Sequence, residues 1–251
     1  MELRGQAAPA PRIPRELRRP EITMFPLLFA ALLLAPAGGG AQTSSSDSSE
    51  ETLHYTVNWP SGLSLGEGAL TARRSAAGGW ELSLEMEAGV PGFQVHDRFL
   101  SVASPEYCSI HFEKESVHGK RKAHEKTVFE GGMATRTTLG GGGKSEFPVP
   151  ACARDALAFL FHLRREIAQG RIPPPQTIYF GAPYEVRFDY KGVQAVETGQ
   201  APEKADRLAV SAKGASSKFS FEIFLARDPA RTPLAIRVPL ELGTFSMELV
   251  R

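Results

Sequence analysis

One serine stands in a motif associated with nucleophilic catalysis. Gly62-Leu63-Ser64-Leu65-Gly66 matches the pattern in which a serine is presented on a sharp turn between a strand and a helix. Residues 67–72 alternate between polar and apolar types as a strand does, so no helix follows Ser64. A hydrolase that uses Ser64 is therefore the least favoured of the functions considered.

A second motif resembles a phosphate-binding loop. Gly140–Gly143 precede Lys144 and Ser145, and backbone amides in such a loop bind phosphate ahead of a helix. Thr138 occupies the position of the first glycine, and the prolines that follow disfavour an immediate helix. We expect a hairpin turn here and no cofactor-binding residues.

Titratable side chains concentrate between residues 96 and 125. They are His96, His111, His118 and His124, with Asp97, Glu113, Glu115 and Glu125. Imidazole and carboxylate groups are zinc ligands. In a strand, alternate residues lie on the same face, so His111, Glu113 and Glu115 could together form a zinc site. Their spacing matches no known ligand set, and a solvated strand face carries the same residue types. We expect no metal site and no catalytic residues in this segment.

The N-terminus has the three-part order of a secretory signal. Basic residues Arg15, Arg18 and Arg19 precede an apolar run, Met24–Pro36, which is followed by small residues. Gly39 and Ala41 put small side chains at the positions that a signal peptidase reads, so we predict cleavage between Ala41 and Gln42. Met1 and Met24 both remain candidates for the initiator.

Export divides the chain into three parts: a signal peptide over 1–41, a disordered linker over 42–52 and one folded domain over 53–251. The linker sequence has no apolar side chains to bury. The apolar run is shorter than the roughly 20 residues that a membrane-spanning helix needs. No cysteine near Ala41 offers lipid attachment. We expect a soluble periplasmic or extracellular protein without a spanning segment after cleavage.

Two cysteines, Cys108 and Cys152, both lie in the folded part. Disulfides persist in exported compartments, and neither cysteine belongs to a Cys-x-x-Cys pair. We expect a disulfide that joins a strand to the start of a helix; two free thiols are the alternative. In the chain-entropy model, a disulfide that closes a loop of this length stabilises the folded protein by roughly 4 kcal/mol at most.

The net charge of +1 provides no basic field for a polyanion, because the Lys and Arg residues are dispersed. Nucleic acid is therefore not expected as a partner.

Most of the folded part has the two-residue repeat of β-strands. Apolar residues alternate in six runs: Leu53–Trp59, Trp80–Met86, Tyr184–Tyr190, Phe219–Leu225, Leu234–Val238 and Phe245–Leu249. One segment, residues 153–169, instead has apolar residues at three- and four-residue steps and predicts an amphipathic helix. The expected fold is mainly β, a curved antiparallel sheet or open half-barrel packed around that helix.

Abundant phenylalanines allow either a filled core or a pocket for an apolar ligand. They are Phe93, Phe99, Phe112, Phe129, Phe159, Phe161, Phe219, Phe221 and Phe224. The strand and helix repeats already place inward side chains at most of these positions, so the core is the preferred interpretation for most of them.

Three stretches in this order are similar to a bacterial family called domain of unknown function 3108. They are His96-Asp97-Arg98-Phe99 leading to Phe112-Glu113-Lys114, Asp155-Ala156-Leu157 reaching Leu163-Arg164, and Ile223–Val238 followed by Leu242-Gly243-Thr244-Phe245. The resemblance extends from Leu53 to the C-terminus. It implies an exported, mostly antiparallel β protein and carries no catalytic residues.

Two functions remain open at this point. The first is non-enzymatic binding of a lipid or other apolar, envelope-derived ligand. The alternative is a structural or interaction protein of the cell envelope that binds a protein partner. We expect no enzyme activity and no cofactor.

Overall fold

The structure is a computed structural model and describes residues 50–198, 201–241 and 243–251. These ranges contain one helix, α1 (Ala156–Ala168), and fifteen strands. The strands are β1 (Glu50–Asn58), β2 (Ser64–Arg74), β3 (Trp80–Val90), β4 (Phe93–Ala103), β5 (Ser109–His118), β6 (Arg121–Glu130), β7 (Met133–Thr138), β8 (Lys144–Pro148), β9 (Arg154–Asp155), β10 (Gln176–Tyr179), β11 (Pro183–Glu197), β12 (Pro202–Lys213), β13 (Lys218–Ala226), β14 (Pro233–Leu240) and β15 (Gly243–Leu249).

The strands form one sheet in the order β8-β7-β6-β5-β4-β3-β2-β1-β15-β14-β13-β12-β11-β10-β9. Neighbours are antiparallel throughout except for β9 and β10, which are parallel. Hairpins connect most neighbours because glycine-containing turns separate the alternating runs. The predicted antiparallel sheet is confirmed.

The sheet curls so that its two edges approach each other. Arg136 on β7 donates from Nη1 to the carbonyl of Gly181, which follows β10, at 2.7 Å. The rings of Phe129 on β6 and Tyr179 on β10 lie 5.6 Å apart. The concave face is therefore enclosed on most sides, and α1 packs against it.

The helix is shorter than the predicted segment 153–169 and begins at Ala156. Arg154 and Asp155 instead pair with β10, and the Asp155 side chain accepts from the amides of Leu157 and Ala158 as the N-cap. At the other end the helix stops at Ala168, one residue before the predicted boundary, and Gly170 adopts a φ of +73°. Arg154 and Asp155, which the helical repeat assigned to the first turn of the helix, therefore form β9 and pair with β10.

Asp155 ties α1 to the sheet. Its Oδ1 accepts from the amides of Leu157 and Ala158 at 2.9 and 3.0 Å. Its Oδ2 accepts from the hydroxyls of Ser101 and Ser109, both at 2.6 Å. Burial raises the pKa of Asp155, whereas these four hydrogen bonds favour the ionised carboxylate.

The disulfide between Cys108 and Cys152 is present, with the two Cα atoms 4.7 Å apart. The predicted pairing is therefore present, but Cys108 lies in the β4–β5 connection and not on a strand, and Cys152 lies just before β9 and α1. A disulfide is compatible with an exported protein.

The N-terminal predictions are only partly within the described residues. β1 begins at Glu50, so the sheet includes residues 50–52, which the sequence assigned to the linker. Glu51 is held there by an ion pair with Arg164 at 2.7 Å. The signal peptide, the Ala41–Gln42 cleavage site and the rest of the linker lie outside the described residues. Within residues 50–198, 201–241 and 243–251, no helix is long and apolar enough to cross a bilayer.

Candidate ligand pocket

A cavity of about 280 Å³, here called the concave pocket, lies between α1 and the concave face of the sheet. Side chains from both halves of the sheet line it, including Leu84 of β3, Phe99 of β4, Phe221 of β13 and Ile236 of β14, and α1 contributes Leu160. All of its lining residues are aliphatic or aromatic. Such a lining disfavours polar ligands, because most of their hydrogen bonds to water would be lost without replacement.

The concave face becomes progressively more exposed along its strands. On β13, Leu225 is 0% exposed, Ile223 4%, Phe221 partly and Phe219 42%. On β14, exposure rises in the same direction in space, from 0% at Leu234 to 56% at Leu240. The curved sheet is therefore filled at one end, the closed end, and open at the other, the open end, where β13 starts and β14 finishes.

Contacts from α1 seal the closed end. Arg164 donates to both carboxylate oxygens of Glu51, at the start of β1, and from Nε to the carbonyl of Ala230 at 3.0 Å. The Arg164 side chain is only 6% exposed, whereas the Glu51 side chain remains 32% exposed at the rim of the closed end. Because β1 starts and β13 ends at the closed end, the helix is fixed there and the pocket opens away from it.

A cation stands at the border of the concave pocket. Lys114 on β5 places Nζ 4.5 Å from the centroid of the Phe180 ring. Phe180 lines the pocket and packs edge-on against Phe99, with ring centroids 5.1 Å apart. Phe99 and Phe180 therefore form a small aromatic wall of the pocket. The Lys114 ammonium makes a cation–π contact with the Phe180 ring of that wall.

Lys114 also lines a second, wider depression, here called the basic cleft, of about 900 Å³. It lies at the open end, between the β3–β4 and β5–β6 turns, and includes Lys120, Arg121 and Lys122. Among the described residues, none of these four basic side chains makes an ion pair. An anionic group would find a positive field here beside an apolar pocket.

Ser64 lies at the first position of β2 and is exposed. The chain continues as strand through Arg74, so the strand–turn–helix arrangement of a catalytic serine is not formed. The strand that the sequence predicts over residues 67–72 is part of β2.

The histidine-rich segment is divided among separate pairs. His118 Nε2 lies 2.9 Å from Asp97 Oδ1, His124 Nε2 lies 2.5 Å from Glu113 Oε1, and His96 Nδ1 lies 3.0 Å from Glu87 Oε1. Burial and Lys126 lower the pKa of His111. In the part of the chain that the structure describes, no three His, Cys, Asp or Glu side chains gather to hold a metal ion.

The glycine-rich segment forms the β7–β8 turn, where the Thr138 amide donates to the Gly143 carbonyl at 3.0 Å. It is a hairpin turn, as the sequence predicts, and no helix follows it directly.

The phenylalanines divide between the two expected roles. Phe99, Phe159, Phe219 and Phe221 line the concave pocket, whereas Phe112, Phe161 and Phe224 are buried core residues, Phe129 packs against the core, and Phe93 is 49% exposed. Lys114 and Phe180 were not predicted from the sequence to belong to a site. Lys114 carried one signal, because a two-residue repeat puts it on the same strand face as the buried Phe112.

The fold and this site define a class of protein: a curved antiparallel sheet around one helix, with an apolar pocket on its concave face. Residues 54–250 match the family model described as protein of unknown function (DUF3108). The chain therefore belongs to the DUF3108 family.

One solved structure with the same general fold is the crystal structure of a beta-barrel-like protein of domain of unknown function DUF1849 from Brucella abortus. It aligns with a TM-score of 0.58 at 8% identity, over 80% of this chain and 95% of the other. No curated protein matches the sequence.

Proposed function

We propose that this protein is an exported, non-enzymatic binding protein for an anionic amphiphile such as a fatty acid. Its acyl chain would occupy the concave pocket and its head group would lie near Lys114. The observation that carries the proposal is the rise in exposure along β13 and β14, because it opens a predominantly apolar cavity to solvent at one end.

The size of the cavity supports a chain of moderate length. Its 280 Å³ is roughly twice the volume of an engineered apolar cavity of about 150 Å³ that binds benzene. A methylene group is close in size to a water molecule, whose share of liquid volume is about 30 Å³. Roughly nine or ten chain carbons therefore fit, each contributing about 0.8 kcal/mol on burial.

Lys114 is the basis for proposing an anionic head group. Its ammonium lies at the border of the pocket over Phe180 and makes no ion pair within the described residues. A carboxylate at the open end would gain a charge-assisted hydrogen bond there without leaving water completely. Export is part of the proposal, and the disulfide and the signal-like order of the N-terminal sequence support it.

Isothermal titration calorimetry with dodecanoate tests the proposal. We expect one site per chain, a dissociation constant in the micromolar range (about −8 kcal/mol) and a negative heat-capacity change. Changing Lys114 to Met should weaken dodecanoate binding by about fivefold to tenfold, equivalent to about 1–1.4 kcal/mol, while dodecanol binding stays within about twofold.

The matched control is Lys204→Met, since Lys204 is an exposed lysine on β12 outside the pocket lining. This control should bind both ligands as the unmodified protein does. Absence of binding for both dodecanoate and dodecanol would overturn the proposal and favour the protein-binding alternative. If Lys114→Met weakened the binding of dodecanoate and dodecanol equally, Lys114 would not recognise the carboxylate head group.

A further inference from the structure

The open end of the sheet exposes large apolar side chains at three hairpins. Leu63 in the β1–β2 turn is 66% exposed, Phe93 after the β3–β4 turn 49%, and Leu240 before the β14–β15 turn 56%. The strand order and register put all three turns at this end. Apolar side chains on projecting turns lose contact with water when they enter the interfacial region of a bilayer.

Exposed apolar residues also occur at the closed end, where Ile110 is 50% exposed and Ile172 45%. The charges there are paired, as in Glu51 with Arg164, Asp206 with Arg231 at 2.6 Å, and Glu203 with Arg251 at 2.9 Å. Apolar exposure alone therefore does not distinguish the two ends, whereas the charge distribution does.

Two hairpins at the open end close on pairs of basic residues. Lys213 lies directly opposite Lys218 in the β12–β13 register, and His118 lies opposite Arg121 in the β5–β6 register. Like charges at opposite positions destabilise a sheet. Lys120 and Lys122 add two further exposed positive charges without ion pairs among the described residues.

Carboxylates at this end are fewer than the basic residues, and several of them are paired. Glu67 is exposed and lies opposite Glu87, which pairs with His96. Glu185 lies opposite Lys213 but also binds Arg187 at 2.6 Å, Asp97 pairs with His118, and Glu241 is exposed beside Leu240. The open end thus combines projecting apolar side chains with an excess of basic ones. This combination is complementary to a bilayer that carries anionic lipids, because acyl chains receive the apolar tips and the head groups attract the cations.

We propose that the open end is a docking surface for an anionic phospholipid bilayer. Leu63, Phe93 and Leu240 enter the interface, and Lys120, Arg121 and Lys122 contact the head groups. The surface goes beyond the proposed function, since a protein can bind a dispersed fatty acid without touching a membrane. It also turns the mouth of the concave pocket towards the bilayer.

Co-sedimentation with vesicles tests this proposal, with protein purified from cells that express the full chain. We expect binding to vesicles of equimolar phosphatidylcholine and phosphatidylglycerol, little binding to phosphatidylcholine alone, and weaker binding as salt screens the charges. The variant Lys120→Glu with Lys122→Glu should lower the partition coefficient at least tenfold. The control Lys191→Glu with Lys204→Glu has the same change in net charge away from the open end and should retain binding.

A second pair of variants tests the apolar tips. Serine at Leu63, Phe93 and Leu240 should reduce partitioning at least tenfold, whereas serine at Ile110, Ile172 and Val250, which have similar exposure at the closed end, should not. Thermal melting and dodecanoate titration of every variant separate loss of docking from loss of fold or of pocket binding. The proposal is overturned if anionic vesicles are not bound, or if the closed-end controls lose binding to the same extent.

Discussion

Replacing Asp155 with alanine is expected to lower the free energy of unfolding by about 4 kcal/mol, because the change leaves four buried donors without their acceptor. The carboxylate is fully buried and accepts from two backbone amides and from the hydroxyls of Ser101 and Ser109. Two of these bonds cap α1, and two fix the helix to β4 and β5.

Urea unfolding followed by circular dichroism measures this effect. Asp155→Asn serves as the comparison, since its carbonyl oxygen still caps the helix and only the serine contacts must rearrange. We expect it to lose about 1–2 kcal/mol. If the alanine variant unfolds within about 1 kcal/mol of the unmodified protein, the carboxylate does not secure the helix as described.

Replacing Leu84 with tryptophan is expected to reduce the affinity for dodecanoate at least tenfold. Leu84 lies on the concave face of β3, is only partly buried and lines the pocket. The larger ring would occupy much of the 280 Å³ that the acyl chain needs. Because the ring enters existing space, we expect the stability to change by less than about 1.5 kcal/mol.

Ser83→Trp is the matched control, because Ser83 is the neighbouring residue on the same strand and faces the convex side. It should bind dodecanoate with unchanged affinity in the same calorimetric titration. Equal affinity in the Leu84 and Ser83 variants would place the ligand outside the concave pocket.

Much of the fold was predictable because one repeat dominates the sequence. Leu82, Leu84 and Met86 alternate with polar residues, and the structure places all three on the concave face of β3. The start of the helix was not predictable from the same reasoning. Arg154 and Asp155 pair with β10, a strand more than twenty residues further along the chain. A local sequence pattern contains no information about that pairing.

The site was less predictable than the fold. A two-residue repeat tells which face Phe221 and Leu225 share, but not that one lines an open cavity while the other is 0% exposed. That difference depends on how far each residue lies from the helix along its strand. The contact between Lys114 and Phe180 arises only when the sheet curls, since the two residues lie on different strands and turns far apart in sequence.

The central claim is that an acyl chain lies between α1 and the concave face. Solution NMR on methyl-labelled protein with dodecanoate tests it most directly, by nuclear Overhauser effects between ligand and protein methyl groups. We predict contacts to Leu84, Leu160 and Ile236, which line the pocket, and none to Leu100 and Val102, which face outward from β4. Contacts confined to the outward-facing methyl groups, or none under conditions where dodecanoate is in excess, would contradict the claim.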